Sequence, residues 1–521
     1  MPLLLDWLFA FLPILAVLVL MLRFRWDGAR AGVVGWLASL VVGALRFGAG
    51  WQVLAYAQLK ALLLALYVLY IIWGALLFYG VTDEAGAVET VGAGLVRLTP
   101  DRGLQALLLG WVFSAFLQGV GGFGVPVAVV APLLVGLGFP PLAAVVIPSV
   151  GHPWAVAFGS LGASMTAMVA ATGRSAHEIA PWSAAMMGLT CLGCGAATLW
   201  AAGGWRTLKA GLGPLLVIGP VMAVVLYFVA THRMDVIGSM MAGLAGLAVG
   251  VTWAWWRGTR RPGFSQGAPV EARHPNTRMP LLWAFVPYAL LVVIILAAEL
   301  IAPVKQFLNS HAVIGGEFPE LVTARGWVTP AGKGRTIAVF GHAGALLTYA
   351  SLIAYGLYRL RGNYRPGAER RIARGVVRRA LRSSLGTAAM VAMAATMEHA
   401  GMTVLLAERI AKAAGRVFPL ASPFIGALGA FMTGSNTNSN VIFGNLQQSV
   451  ATLIGVSPLV IIAAQMAGGS IGSAFAPAKV IVGCSTVKAE EAPVLRAVMR
   501  YGLAILAGVA LATMAAAYLS R

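Results

Sequence analysis

Two short stretches of this sequence combine small residues with hydrogen-bonding groups, and both lie inside apolar sequence. The first, QGVGGFG, is rich in glycine, and the second, TGSNTNSN, has eight consecutive small polar residues. Backbone N–H groups at glycine-rich breaks and at helix N-termini carry partial positive charge, which suits a small organic anion. The candidate substrate-binding residues are therefore Gln118, Gly119, Gly121, Gly122 and Gly124 in the first stretch, and Thr433, Gly434, Ser435, Asn436, Thr437, Asn438, Ser439 and Asn440 in the second.

Four further polar side chains fall in apolar segments, where an ionisable group is costly and indicates function. A histidine side chain ordinarily titrates near neutral pH, so His152 could carry a proton, or it could hydrogen-bond a freed carbonyl. Lys479 would attract a carboxylate if it faced a cavity, and would otherwise extend towards the membrane surface. Glu398 could carry a proton, or it could form an interfacial pair with His399. Gln465 adds a hydrogen-bond donor.

The main structural alternative for the polar stretch is helix packing. Small polar residues join membrane helices, but one or two suffice for that purpose, and here eight are consecutive. The three cysteines lie in apolar segments, and Cys191 and Cys194 have no His or carboxylate nearby, which indicates packing rather than redox chemistry. We therefore expect no metal and no cofactor.

The elements that position these residues must be membrane helices. Of the 521 residues, 59% are hydrophobic and 10% are charged, whereas soluble domains have about a quarter charged residues. The apolar runs continue for about 20 residues, the length of a helix across a bilayer. The net charge of +20 lies in short loops, as positive-inside orientation requires, and does not indicate a nucleic-acid partner. The sequence predicts an all-α polytopic membrane protein.

Breaks in the apolar sequence divide the chain into two similar halves. In lipid, irregular backbone is tolerated only where protein or a water-filled cavity meets it. The glycine-rich stretch therefore predicts a broken-helix or re-entrant hairpin over residues 103–138, and the polar stretch predicts a second over residues 423–453. Residues 1–256 then form a first transmembrane repeat, residues 257–279 a basic cytoplasmic linker, and residues 280–521 a second repeat.

Faint internal similarity supports this division. Phe431–Gly434 resembles Phe116–Gly119 at an offset of 315 residues, and Gly455–Pro458 resembles Gly138–Pro141 at an offset of 317. Loop charge predicts that the two hairpins begin on opposite sides of the membrane, so that the halves are inverted repeats. Inverted repeats with broken helices in matching positions indicate a secondary transporter that alternates access to a midplane site.

The hairpins also resemble signature blocks of the bacterial L-lactate permease family. Ser114–Phe139 is similar to GAFLEGxxGFGxPVAIxxxLLVGLGF, Phe431–Gln448 to FLTGSDTSSNALFxxLQ, and Gly455–Cys484 to GVSxxLxxAANxxGGxxGxxxxPQxIxxAC. The resemblance covers nearly the whole chain. It implies proton-linked uptake or exchange of L-lactate and related 2-hydroxymonocarboxylates such as glycolate, in the bacterial plasma membrane.

The chain departs from this family pattern at its acidic positions. Gln118 replaces a glutamate of the first block, and Asn436 replaces an aspartate of the second. Since these amides remove the obvious proton carriers, His152 and Glu398 are the remaining proton-coupling candidates. A monoanion that enters without a proton costs about 2.3 kcal/mol per 100 mV of inside-negative potential, so uptake requires a coupling ion or exchange.

We therefore expect a secondary transporter of small 2-hydroxymonocarboxylates, with protons as the coupling ion and no enzymatic activity. One alternative keeps the fold but changes the substrate to another carboxylate or a sulfonate, or removes the proton coupling. A second alternative is a membrane-embedded enzyme or a proton-channel subunit. It requires paired His and Asp ligands or a chain of buried Lys and Glu, and the sequence contains neither.

Overall fold

The computed structural model describes residues 2–24, 26–96, 98–122, 124–259 and 279–519. Within these ranges the chain is mostly helical, as the apolar runs predict, because a helix satisfies its own backbone groups in lipid. Eight helical stretches of the described residues are long and apolar enough to cross a membrane. The predicted linker over residues 257–279 falls almost entirely outside the described residues.

The helices of the first half are short around the predicted hairpin and long elsewhere. They are α1 Pro2–Leu22, α2 Gly28–Leu45, α3 Trp51–Glu84, α4 Ala87–Val96, α5 Arg102–Gln105, a π-helical stretch Ala106–Phe113, α6 Ser114–Val120, α7 Val125–Gly136, α8 Pro141–Gly151, a 3-10 turn Pro153–Ala155, α9 Ala163–Thr172, α10 Ala176–Val229, a π-helical turn Ala230–Met234, a 3-10 turn Asp235–Ile237 and α11 Gly238–Thr259. Helix α10 is interrupted at Gly203 and Gly204, where Gly204 has a φ of 68°.

The second half begins with a helix and a small extramembrane element. The helices are α12 Leu281–Leu300, α13 Ala302–Ser310, α14 Ala343–Leu360, α15 Ala368–His399, α16 Met402–Ala414, a 3-10 turn Gly415–Val417, α17 Phe418–Thr433, α18 Asn436–Leu453, α19 Pro458–Ala474, α20 Pro477–Val487 and α21 Glu491–Leu519. Six two-residue strands between α13 and α14 pair as nested antiparallel ladders: β1 Val313–Ile314 with β6 Ile337–Ala338, β2 Glu317–Phe318 with β5 Gly332–Lys333, and β3 Leu321–Val322 with β4 Val328–Thr329.

The same order of hairpin and interrupted helix occurs in both halves. Helices α6 and α7 flank the first tip, residues 121–124, and α17 and α18 flank the second, Gly434 and Ser435. In each half the next helix is interrupted: residues 152–162 separate α8 from α9, and Phe475 and Ala476 separate α19 from α20. Proline stands in the first turn of α7, α8, α19 and α20. There it restarts a helix without losing a needed N–H group.

Packing between the halves is reciprocal. Helix α2 packs along α15 while α14 packs along α3, and α1 contacts α16 while α12 contacts α4. A close glycine contact recurs as well: a Cβ added at Gly151 would overlap the carbonyl oxygen of Gly110, and one at Gly468 would overlap that of Pro423. The two halves therefore contain corresponding elements in corresponding contacts. Their inversion across the membrane stays a prediction.

The contact at Gly468 gives a stability prediction. We expect Gly468→Ala to destabilise the protein by about 1–3 kcal/mol, because the added methyl group must displace the backbone of α17. Thermal unfolding in detergent measures the effect. Gly508→Ala on α21 is the matched control, since no atom lies within 4 Å of its new Cβ and alanine favours the helix. Equal unfolding temperatures for Gly468→Ala and Gly508→Ala would contradict the prediction.

Candidate substrate and coupling site

The first tip is held by the unwound segment that follows α8. The carbonyl of Gln118 accepts the N–H of Ser160 at 2.7 Å, and the carbonyl of Gly119 accepts the N–H of Leu161 at 2.9 Å. Gly122 has a φ of 55° and a Cβ there would overlap the Ser160 hydroxyl, so the position requires glycine. The side-chain oxygen of Gln118 is buried and has no hydrogen-bond partner among the described residues.

The unwound segment itself adopts a strained conformation. Ser160, Leu161 and Gly162 have φ values of 49°, 51° and 82°, in the left-handed region that non-glycine residues rarely occupy. Such strain persists where the surroundings enforce it, and it clusters at functional sites. This segment joins the candidate site, and the sequence analysis had selected only the nearby His152. The glycines at positions 159 and 162, close to His152, were the available signal.

The second tip is ordered by its own hydrogen bonds. Gly434 ends α17 with a φ of 70°, and the Ser435 hydroxyl accepts the N–H of Asn438 at 3.4 Å as the N-cap of α18. The Thr433 hydroxyl donates to the carbonyl of Gly429 at 2.8 Å. The polar run of the second predicted hairpin is therefore a short turn followed by the first turn of a helix. The N-terminus of α18 lies at the tip, as anion binding would require.

Two asparagines of α18 contact neighbouring helices. The amide nitrogen of Asn436 donates to the Ser470 hydroxyl at 3.0 Å, while its amide oxygen is buried and unpartnered among the described residues. The amide oxygen of Asn438 accepts a hydrogen bond from the Thr387 hydroxyl at 2.9 Å. Asn436 and Gln118, the two amides that replace acids of the family pattern, thus each present an unsatisfied acceptor. A buried acceptor in a folded protein is normally paired with a hydrogen-bond donor, so these two oxygens are candidates for contact with a substrate.

A buried network of amide side chains hydrogen-bonds the second tip to α19. The side-chain nitrogen of Gln465 on α19 donates to the Ser439 hydroxyl at 2.9 Å and to the Asn440 oxygen at 3.3 Å. Gln447 donates to the Gln465 oxygen, and the Ser422 hydroxyl donates to Gln447. Gln465 is therefore occupied by protein partners, and in this conformation it positions the tip. Gln447 and Ser422 were not selected by the sequence analysis, because a glutamine or serine in an apolar helix is common in packing.

The first and second halves meet where α9 begins. The Ser164 hydroxyl lies 3.3 Å from that of Thr437, and the Asn440 amide nitrogen donates to the Ser164 carbonyl at 3.0 Å. Because Ser164 directly follows the strained segment, the interrupted helix of one half contacts the tip of the other. The structure thus brings the two predicted tips into one region.

His152 and Lys479 lie at the two helix interruptions. The Nδ1 atom of His152 is 2.6 Å from the carbonyl oxygen of Pro148, so Nδ1 carries the proton and donates it. Its Nε2 atom is buried without a partner among the described residues. The ammonium group of Lys479 donates to the Ser473 hydroxyl at 3.0 Å and acts electrostatically on His152. Lys479 is half-buried, while His152 is fully enclosed.

Glu398 occupies a separate cavity of about 60 Å³ between α1, α9, α15, α16 and α18. The polar side chain of Asn445 lines the same cavity, and the charge of Lys60 on α3 acts on the carboxylate of Glu398. The imidazole of the neighbouring His399 instead contacts the carbonyl of Ala395, with Nδ1 2.9 Å from the oxygen. Sequence reasoning missed Lys60 and Asn445. Lys60 could have been found by the rule that selected Lys479, since it also lies in an apolar span.

The described residues offer no cluster of three or more His, Cys, Asp or Glu side chains that could hold a metal ion. The three cysteines are free and buried. The polar groups near the tips are amides and hydroxyls, with Lys479 and His152 at the helix interruptions and Glu398 in a separate cavity. Such a set can hold a small polar anion and exchange protons.

Paired hairpins, interrupted helices and enclosed polar tips define the class of this protein as a polytopic membrane transporter. Residues 6–520 match the model of the family described as L-lactate permease. The chain therefore belongs to the L-lactate permease family. It is a multi-pass bacterial membrane protein and a transporter, not an enzyme.

Curated relatives are matched along nearly their full length. The chain is 28% identical to the L-lactate permease of Bacillus subtilis, over 96% of this chain and 96% of that protein. It is 26% identical to the glycolate permease GlcA of Escherichia coli, over 98% of this chain and 95% of that protein. Among solved structures, the YdaH transporter of Alcanivorax borkumensis is 14% identical with a TM-score of 0.42, covering 85% of this chain and 84% of that one.

Proposed function

We propose that this protein is a secondary transporter that carries L-lactate, glycolate and related 2-hydroxymonocarboxylates into the cell together with protons. The observation that carries the proposal is the pair of unsatisfied amide oxygens, on Gln118 and Asn436, in the two tips of a chain of this family. Relatives named for L-lactate and for glycolate support the substrate class.

A 2-hydroxy acid complements these groups. Its hydroxyl is a hydrogen-bond donor that an amide oxygen of Gln118 or Asn436 can accept, and its carboxylate requires donors or a cation. The N-terminus of α18 and the ammonium group of Lys479 supply positive potential. An amide at each former acid position leaves the tips less negative than the family pattern, which favours a monoanion.

For proton coupling, the geometry favours Glu398 over His152. Glu398 lines a cavity together with the polar side chain of Asn445, and the charge of Lys60 acts on it. The ring of His152 is fully enclosed, and its unprotonated Nε2 atom has no hydrogen-bond donor among the described residues from which to take a proton. A proton carrier must exchange with water on both sides in turn, so we assign this role to Glu398.

We further propose that the two repeats are inverted and that access alternates by movement of one part against another. The reciprocal packing of α2 on α15 and α14 on α3 supports a two-fold relation between the halves. The interruptions at residues 152–162 and at Phe475 and Ala476 provide the irregular backbone at which such helices bend.

The test is counterflow of labelled L-lactate in proteoliposomes, competed by a panel of small acids. We expect L-lactate and glycolate to compete, and acetate, which lacks the hydroxyl, to compete at least about tenfold more weakly because an amide acceptor stays unpaired. Stronger competition by a sulfonate or a dicarboxylate would favour the alternative substrate. Counterflow without substrate-driven alkalinisation outside would favour an exchanger without proton coupling.

A further inference from the structure

A cavity beside the ladder of short strands lies apart from both tips and from Glu398. It has a volume of about 510 Å³, and its lining includes Tyr67, Thr166, Asp235, Arg335 and His342. These residues come from α3, α9, the turn between α10 and α11, and the segment that precedes α14. The cavity is therefore assembled from both halves of the chain.

Arg335 is held in this cavity by an aromatic ring and not by a carboxylate. Its guanidinium carbon lies 4.0 Å from the centroid of the Tyr67 ring. Its Nε atom is buried without a partner, and no ion pair with Arg335 occurs among the described residues. A guanidinium stacked on an aromatic face keeps its edge donors available, and these match a carboxylate in bidentate geometry.

His342 provides a second donor in a fixed orientation. Its Nδ1 accepts the N–H of Gly344 at 3.1 Å, so in the neutral ring the proton is on Nε2. The ring stacks on Tyr70 with centroids 4.9 Å apart and lies edge-on to Tyr67 at 4.6 Å. Burial and the nearby Arg335 lower the pKa of His342 to about 4, so it stays neutral at physiological pH. A neutral imidazole here donates one hydrogen bond without adding charge.

The cavity lies next to the region where the two tips meet. Thr166 and Val169, which line it, are on the first two turns of α9. Ser164, in the first turn of the same helix, contacts Thr437 and Asn440 of the second tip. The opposite end of α14 leads into residues 359–382, which contain nine arginines and are predicted to face the cytoplasm. With this predicted orientation, the cavity opens on the outer side of the membrane.

We propose that this cavity is an outer binding site, in which Arg335 and His342 capture the carboxylate of a monocarboxylate before it moves to the tips. The assignment rests on the proposed transport function. Asp235 in the same lining gives the site its selectivity, because a second carboxylate on the substrate would meet a like charge. Arg335 thus fixes the anion, and Asp235 excludes dianions.

Thiol labelling tests binding at this site independently of transport. Thr336, exposed in the lining, is changed to cysteine, and a membrane-impermeant thiol reagent is added outside; the three native cysteines are buried. We expect L-lactate and glycolate to slow labelling of Thr336→Cys about tenfold at saturation, and Arg335→Gln to abolish this protection. Asn309→Cys, also in the lining, is the second reporter should Thr336→Cys fold poorly.

Lys333→Gln is the matched control. This substitution removes one positive charge two residues from Arg335. The Lys333 side chain is 77% exposed and forms a surface ion pair with Glu317 at 3.7 Å. We expect substrate to protect the Lys333→Gln variant from labelling as it protects the parent. Asp235→Asn is expected to extend protection to succinate, which does not protect with Asp235 present. The proposal is overturned if Arg335→Gln keeps full protection, if Lys333→Gln loses it equally, or if no small monocarboxylate protects.

The outcomes for this site and for the proposed function are distinguishable. If a different monocarboxylate protects through Arg335 while L-lactate and glycolate show no counterflow, the outer site stands and the substrate assignment fails. If L-lactate is transported and Arg335→Gln leaves both its KM and the protection unchanged, the transport function stands and the outer site fails.

Discussion

Replacing Glu398 with glutamine is expected to uncouple transport from protons while leaving exchange of substrate intact. Glutamine keeps the size and the hydrogen-bonding capacity of the side chain but cannot carry a proton. A monoanion that enters without a proton must overcome an electrical free energy of about 2.3 kcal/mol per 100 mV of inside-negative potential. A free-energy difference of about 1.4 kcal/mol corresponds to a tenfold concentration ratio. The steady-state accumulation of L-lactate should therefore fall about 50-fold at 100 mV. Counterflow, which needs no net charge movement, should stay within about threefold of wild type.

The measurements are accumulation of labelled L-lactate under an imposed potential, alkalinisation on adding substrate, and counterflow in the same proteoliposomes. Glu408→Gln is the matched control, since this carboxylate is exposed on α16 and outside the cavity lining. His152→Gln should leave alkalinisation unchanged. Normal alkalinisation by Glu398→Gln, or loss of counterflow in a variant that unfolds at the wild-type temperature, would remove Glu398 from the coupling step.

Replacing Lys479 with glutamine is expected to weaken substrate binding and to raise the KM of counterflow about 10- to 100-fold. The estimate follows from a charged hydrogen bond of about 1.5–3 kcal/mol to the substrate carboxylate. The lysine donates to Ser473 and has no carboxylate partner in an ion pair among the described residues, so its charge is available to an anion. The readout is the KM of counterflow, with the maximal rate measured in parallel.

Two variants separate charge from packing at this position. Lys479→Arg keeps the charge and should recover part of the affinity, whereas Lys412→Gln removes a charge from an exposed face of α16 and should have no effect. If Lys479→Gln and Lys479→Arg impair transport equally, the side chain acts through packing, and the carboxylate contact proposed for it is wrong.

The tips were predictable from sequence because their signals are local. Glycine permits the left-handed turns at Gly122 and Gly434, and proline stands in the first turn of α7, after the first tip, and of α20, after the second interruption. The membrane class followed from uninterrupted apolar length, and the L-lactate permease family followed from the blocks around both tips. The sequence offset of about 315 residues also relates similar elements of the structure. Gly151 and Gly468 are the eleventh residues of α8 and α19, and each lies against the backbone of the hairpin that precedes it in the chain.

Other features required the tertiary structure. The left-handed Ser160 and Leu161 are held by hydrogen bonds to α6, about 40 residues away in sequence, and no local pattern predicts them. Arg335 lies in a segment of mixed composition between two apolar runs, and no sequence pattern marks it as part of a site. Only the folded ladder places it over Tyr67, 268 residues earlier in the chain.

The sequence by itself thus determined that the chain spans a membrane, where its helices break and which short stretches are polar inside lipid. The tertiary structure decided which of those polar groups have partners. Gln465 is occupied by Ser439 and Asn440, whereas the oxygens of Gln118 and Asn436 have no partner among the described residues. The physical reason is that a membrane helix is apolar on every face. Its rotation and its neighbours are therefore set by packing across the whole fold, which periodicity does not encode.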